Sequence, residues 1–159
     1  MAAVSLRRWK LEDALLVQEA SLDAYVAGMI RVTPGCGRTA AQNWIRRAME
    51  SHSRVIVEGG EALGEVGITP DAFGYSGVLH YWVLARARGR GLAQRAAALA
   101  CQGAGKLLLT AIVSERNAAS VKVLEKLGFQ RGARTKEYAG YPGPRDTYSY
   151  FRLATEEPI

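Results

Sequence analysis

An apolar strand that runs without a break into an arginine- and glycine-rich turn, and from there into an alanine-rich helix, restricts this chain more than any other feature. Tyr81-Trp82-Val83-Leu84 leads into Ala85-Arg86-Ala87-Arg88-Gly89-Arg90-Gly91, after which Leu92, Ala96, Leu99 and Ala100 recur at helical spacing. Such a unit leaves backbone N–H groups unpaired at the positive end of a helix dipole, which is what a phosphate or pyrophosphate needs. Gly89 and Gly91 allow close backbone approach, and Arg86, Arg88 and Arg90 add charge. Two commoner phosphate motifs do not fit. Gln94 stands where a dinucleotide fingerprint needs its third glycine, and the turn lacks the Gly-Lys-Ser/Thr of a P-loop.

The charge distribution points to the same segment. The chain carries a formal net charge of +6, which suggests an anionic partner. From Ala72 to Ser114 there is no acidic residue, while Arg86, Arg88, Arg90, Arg95 and Lys106 contribute +5; the remaining 16 basic and 15 acidic side chains nearly cancel. An excess this localised suits a small phosphorylated ligand better than a duplex-binding face, so no nucleic-acid partner is expected.

The other elements order themselves around that unit. Val4 to Trp9 reads as a strand, and Leu11, Ala14, Leu15, Leu22, Tyr25, Val26 and Met29 as a helix with a break near Ser21. Thr39 and Gln42 have capping-box spacing ahead of a helix with Trp44, Ile45, Ala48 and Met49 as its apolar stripe. Arg54 to Glu58 and Ala62 to Thr69 flank Gly59-Gly60, a tight-hairpin signal. Gly77 to Leu84 is a strand, and the apolar run Lys106 to Ser114 suits a strand buried on both faces and parallel to a neighbour. A helix over Asn117 to Leu127, with Asn117 as N-cap and Gly128 beyond its end, precedes two strands at about Gln130 to Tyr138 and Arg145 to Leu153. With 159 residues and no repeat, the expectation is one domain over 1–159, of mixed α/β (α+β) class. No apolar run approaches a membrane span and no secretory signal opens the chain, so a soluble cytoplasmic protein with no membrane partner is expected. Cys36, Cys101, His52 and His80 have no metal-ligand spacing, so no metal is expected.

Arg86-x-x-Gly89-x-Gly91-Leu92-Ala93 after Tyr81-Trp82-Val83-Leu84 resembles the acyl-CoA pyrophosphate loop of the GNAT N-acetyltransferase superfamily. Asn117-Ala118-Ala119-Ser120-Val121-Lys122-Val123-Leu124-Glu125-Lys126-Leu127-Gly128-Phe129 is similar to the N-x-x-S-x-x-V-x-x-K-x-G-F segment of its RimJ/RimL-type branch, which includes ribosomal-protein N-terminal acetyltransferases. The resemblance implies a mixed, mostly antiparallel sheet of about seven strands with a central splayed parallel pair and about four helices. It implies acetyl-CoA as cosubstrate, with Val83 and Leu84 offering backbone groups to pantetheine, the turn from Arg86 through Arg88, Gly89, Arg90, Gly91, Leu92 and Ala93 holding the pyrophosphate, and Asn117 and Ser120 contacting the pantetheine arm. Ser21 to His52 would help shape the acceptor site.

In that superfamily an amine attacks the thioester directly in a ternary complex, which calls for positioning, a proton acceptor, an oxyanion site and help for the leaving thiolate. The tyrosine acid of many members is replaced here by Leu124, and the resemblance to the RimJ/RimL-type branch implies Ser120, one turn earlier, as the candidate near the sulfur. Its competing role is a serine that back-bonds to its own helix. His80, beside Tyr81 and on the strand face of Trp82, is the candidate base against a packed sheet imidazole. Glu65, on the adjacent hairpin strand, is a second candidate base acting through water, against its default reading as an exposed strand glutamate; His52 and Asp71 read as loop residues, Cys36 as a flexible loop thiol and Cys101 as a small core residue. Tyr138, Tyr141, Tyr148 and Tyr150 either line the acceptor pocket or cover the sheet. A weak base suits an α-amine, about a tenth of which is neutral at pH 7, better than a lysine-type amine. The expected acceptor is a peptide N-terminus or a small primary amine, and the expected state a monomer or homodimer. A non-catalytic acyl-CoA-binding module of the same fold is the alternative.

Overall fold

The computed structural model describes residues 2–105, 107–114, 117–135 and 147–153. A seven-stranded sheet has the order β1-β2-β3-β4-β5-β7-β6, built from β1 (Val4–Arg7), β2 (Arg54–Glu58), β3 (Glu61–Pro70), β4 (Ser76–Val83), β5 (Leu108–Ser114), β6 (Gln130–Thr135) and β7 (Thr147–Leu153). All neighbours are antiparallel except β4 and β5. That parallel pair touches only where Ser76, Gly77 and Val78 meet Leu108, Leu109 and Thr110. Beyond it β4 stays with β3 and β5 with β7, so the sheet opens into a V at the carboxyl ends of the two strands.

Among the described residues there are five α-helices where four are expected, because the first divides. α1 (Ala14–Ala20) stops at Ser21, and α2 (Ala24–Ile30) restarts at Asp23, whose side chain accepts the N–H groups of Tyr25 and Val26. The expected apolar positions Leu15 and Leu22 are 74% exposed: α1 buries Leu16, Val17 and Ala20 instead, and Leu22 falls in the break between the two helices. α3 (Arg38–Met49) starts from Gly37 with no side-chain cap, so the Thr39/Gln42 capping box does not form. Trp44, Ile45 and Ala48 are buried as its periodicity demands, whereas Met49 is exposed. The hairpin between β2 and β3 turns on Gly59 and Gly60, both at positive φ.

α1 packs on α3 and β3, and α4 (Leu92–Gly103) packs on β1, β3 and β4. Ala96 and Ala97 are fully buried under α4. Their small side chains let the helix sit close to the sheet and hold its N-terminus at the mouth of the V. Leu63, Leu92, Leu109 and Leu124 are at most 2% exposed, and each contributes about 1.5–3 kcal/mol by leaving water. α5 (Ala118–Lys126) starts from Asn117 and lies across the opening from β4. Lys106, Tyr138, Tyr141 and Arg145 lie outside the described residues; register places Tyr148 and Tyr150 in β7 opposite Val113 and Ala111.

Candidate active site

The V opens into a cleft of about 770 Å³ between β4, the α4 N-terminus, α2 and α5. Strand pairing explains its polar edge. Leu84 N–H donates to Leu63 O at 2.9 Å, so by antiparallel alternation the N–H and C=O of Val83 point away from β3, into the V. Leu84 itself is committed to β3, with its side chain buried, and it does not line the cleft. The backbone edge expected from Val83 and Leu84 together is therefore that of Val83 alone.

The turn behaves as its glycines require. Gly89 and Gly91 have φ of +80° and +73°, a region that side-chain-bearing residues occupy only at a cost, and a Cβ at either would meet no atom within 4 Å. Among the described residues the N–H groups of Gly89, Arg90 and Gly91 make no hydrogen bond. Those of Leu92, Ala93 and Gln94 belong to the first turn of a twelve-residue helix and have no intrahelical partner. Gly89, Gly91, Leu92, Ala93 and Gln94 all line the cleft, and together these groups can hold a pyrophosphate.

The arginines are placed differently from the expectation. Arg86 points away from the cleft, to Glu19 Oε1 at 2.7 Å and Glu61 Oε1 at 2.6 Å. Hydrogen bonds to these two carboxylates raise its pKa further. Arg90 pairs with Glu58 at 3.4 Å, as Arg95 does at 2.6 Å, and Arg90 does not line the cleft. Arg88 alone of the three borders it, donating to Asp23 Oδ2 at 2.7 Å and to Val83 O at 3.1 Å. The four arginines of the acid-free stretch thus pair with carboxylates from α1, the α2 N-cap, β2 and β3. Burial works to raise the Asp23 carboxyl, but the Arg88 guanidinium and the α2 N–H groups hold it below its usual value. Lys122 and Lys126, absent from the expected set, line the cleft together with Ala119 and Val123. Their i, i+4 spacing on the helix that begins at Asn117 is the signal that places them on one face.

Asn117 caps α5 as expected: its Oδ1 accepts Ser120 N–H at 3.1 Å, and its Nδ2 donates to Tyr25 Oη at 3.1 Å. Ser120 lines the cleft, and its Oγ accepts the Tyr81 hydroxyl at 3.2 Å. Burial pushes the Tyr81 phenol up to about 12, so it keeps its proton at any working pH. Leu124 is fully buried and presents nothing to the cleft.

His80 does not line the cleft. Alternation puts it with Trp82 on the face opposite Tyr81, where its ring lies over Gly67; a Cβ there would come within 2.6 Å of His80 Cε1. The side chain is 35% exposed, and its Nε2 is 3.8 Å from Glu65 Oε1. Glu65, expected on the surface, is 5% exposed because α1, backed by α3, packs on β3 over that face. Its oxygens accept Ser53 Oγ–H at 2.5 Å and the Trp82 indole N–H, and Ser53 in turn accepts Trp9 Nε1–H at 2.8 Å. Cys36 also departs from expectation, being buried with its N–H on Ser21 Oγ, while Cys101 is buried as expected. His52 lies in an exposed bend, and Asp71 accepts the N–H groups of Phe73, Tyr75 and Ser76 in the β3–β4 turn. Among the described residues no cluster of three or more His, Cys, Asp or Glu side chains could hold a metal ion, and no helix is long and apolar enough to cross a membrane.

Residues 4–130 match the acetyltransferase (GNAT) domain family. No curated protein sequence matches the chain. Among solved structures, a GNAT-family acetyltransferase from Bacillus anthracis superposes with a TM-score of 0.83 at 20% identity, covering 98% of each chain. Spermidine N-acetyltransferase from Vibrio cholerae, in complex with CoA and spermine, gives 0.78 at 14% identity over 95% of each chain. The ribosomal alpha-N-protein acetyltransferase RimL, in complex with coenzyme A, gives 0.74 at 15% identity over 96% of this chain and 95% of its own.

Proposed function

Because the chain belongs to the GNAT acetyltransferase family, we propose that it is an acetyl-CoA-dependent N-acetyltransferase, a single catalytic domain that transfers acetyl to a primary amine in a ternary complex. The observation that carries this reading is the V between β4 and β5, which ends on six N–H groups without backbone partners between Gly89 and Gln94. In this reading the pyrophosphate sits on those groups, with Arg88, Lys122 and Lys126 as the nearby cations. The pantetheine arm extends along the Val83 backbone toward Asn117 and Ser120. CoA in the two structural relatives above supports the choice of cosubstrate.

The amine lone pair attacks the thioester carbon, the C–S bond then breaks, and the amine's proton passes to a base. His80 is proposed as that base. It stands three residues before Val83, part exposed, with its Nε2 3.8 Å from Glu65 Oε1. Ser120 is proposed to donate to the departing sulfur from the opposite side of β4. A polyamine and a protein N-terminus are both acceptors among the relatives, so the acceptor class here stays at primary amine, with an α-amine the better match to a modest base.

Titration calorimetry with CoA tests the site. Gly91→Val forces a β-branched residue into positive φ without a clash in the core, at a strain of about 1–3 kcal/mol, and distorts the N–H cradle. CoA affinity falls at least about tenfold, while the thermal transition falls by about the 2–4 °C per kcal/mol that this strain costs and stays cooperative. Unchanged affinity removes the turn from the site. An acetylation screen over peptides and polyamines then identifies the acceptor.

A further inference from the structure

Tyr81 sits behind Ser120 and outside the cleft, and nothing in the reading above uses it. We propose that Tyr81 is a positioning residue whose hydroxyl, donated to Ser120 Oγ, turns the Ser120 proton into the cleft toward the CoA sulfur; this rests on the CoA reading of that cleft.

The argument is an inventory of donors and acceptors. The Tyr81 hydroxyl has two acceptors within reach, Ser120 Oγ at 3.2 Å and Ser120 O at 3.4 Å, both on one residue of α5. A phenol is a stronger donor and a weaker acceptor than an aliphatic alcohol, because its lone pair is delocalised into the ring. Burial keeps this phenol protonated, so it serves as a fixed donor rather than as a source of protons. A serine oxygen that accepts from Tyr81 retains its own O–H, and among the described residues that proton has no acceptor. The backbone is pinned as well, since Ser120 N–H is held by Asn117 Oδ1, and Asn117 Nδ2 is held by Tyr25. With its N–H and one lone pair committed, the remaining direction for the hydroxyl proton is the cleft that Ser120 lines. A thiolate there accepts a hydrogen bond strengthened by the one that Tyr81 makes. No covalent step is required of Tyr81, and the proton that finally reaches the thiolate comes from solvent.

The readout needs no acceptor amine: the thiol of protein-bound CoA is titrated by the ultraviolet absorbance of its thiolate. The wild type is expected to hold a larger thiolate fraction at a given pH than free CoA. Tyr81→Phe and Ser120→Ala should each lower that fraction by about three- to tenfold in its equilibrium constant, and the double variant should be no lower than Ser120→Ala alone. Effects of the two substitutions that multiply overturn the coupling, as does a titration insensitive to Tyr81→Phe while Ser120→Ala alters it. Calorimetry separates the two levels: wild-type protein that fails to bind CoA overturns the cleft reading itself, whereas bound CoA with an indifferent thiol overturns only the role of Tyr81. In Ser120→Ala the residue is only half-buried and its backbone carbonyl, 3.4 Å from the Tyr81 hydroxyl, remains as an acceptor, so the thiol readout survives even if Tyr81→Phe lowers stability.

Discussion

The two faces of β4 handle burial in opposite ways. On the α4 face, Tyr81 is a neutral hydroxyl whose burial is tolerable because it keeps its proton and finds one residue to donate to. On the α1/α3 face, Glu65 from the neighbouring strand is a carboxylate, and each of its oxygens must be matched by a donor, Ser53 on one and the Trp82 indole on the other. Period-two alternation thus sorts a donor set to one side of the strand and an acceptor set to the other, with the Val83 backbone edge beside both. A reaction that takes a proton from an amine and offers one to a thiolate needs that separation. If the two sets met on one face they would pair with each other.

The contrast predicts a hierarchy of responses. Glu65→Ala strands the Trp82 and Ser53 donors in a covered site and leaves a void, so it should destabilise by about 3–5 kcal/mol in urea unfolding. A loss below about 1 kcal/mol would mean that this face is not held by its carboxylate. His80→Ala removes a part-exposed ring from the same face and should cost little stability, yet lower kcat about a hundredfold with the best acceptor of a screen. Equal turnover by this variant dissociates the acceptor set from catalysis.

On the other face the test is pH. Tyr81 ionises near 10 when unfolded and near 12 when folded, so the native state binds more protons between those values. Its contribution is fully present below the unfolded pKa and is lost as pH rises through the folded one. The wild type should therefore lose about 2 kcal/mol more than Tyr81→Phe between about pH 10 and about 12. Parallel curves would show a solvated phenol. The smallest effect lies at the strand edge, where Arg88 is shared between Asp23 and Val83 O. Asp23→Asn keeps an N-cap for α2 but removes the competing anion, and CoA should bind about three- to tenfold tighter. Weaker binding would assign Asp23 to the coenzyme instead.

What could be read in advance follows the same division. Gly59-Gly60, Gly89, Gly91 and the Asn117 cap are requirements of a few consecutive residues, and each is met where the sequence puts it. The parallel pairing of β4 with β5 was legible because an apolar run following a helical crossover has few other places to go, but β5 is not buried on both faces as expected, Ile112 being 48% exposed. Arginine partners were not legible, since Arg86 meets Glu19 across 67 positions and Arg88 meets Asp23 across 65. Nor was the burial of Glu65: its own strand carries no sign of the indole and hydroxyl that satisfy it, which come from β4 and from the residue before β2.

The sequence by itself determined the backbone of the site, because positive φ, strand alternation and helix capping are local properties of the residues that show them. Only the tertiary structure decided its electrostatics. Which arginine borders the cleft, which carboxylate is buried and which hydroxyl proton is left free all depend on partners brought together by packing, and electrostatic energy follows distance in space rather than position in the chain.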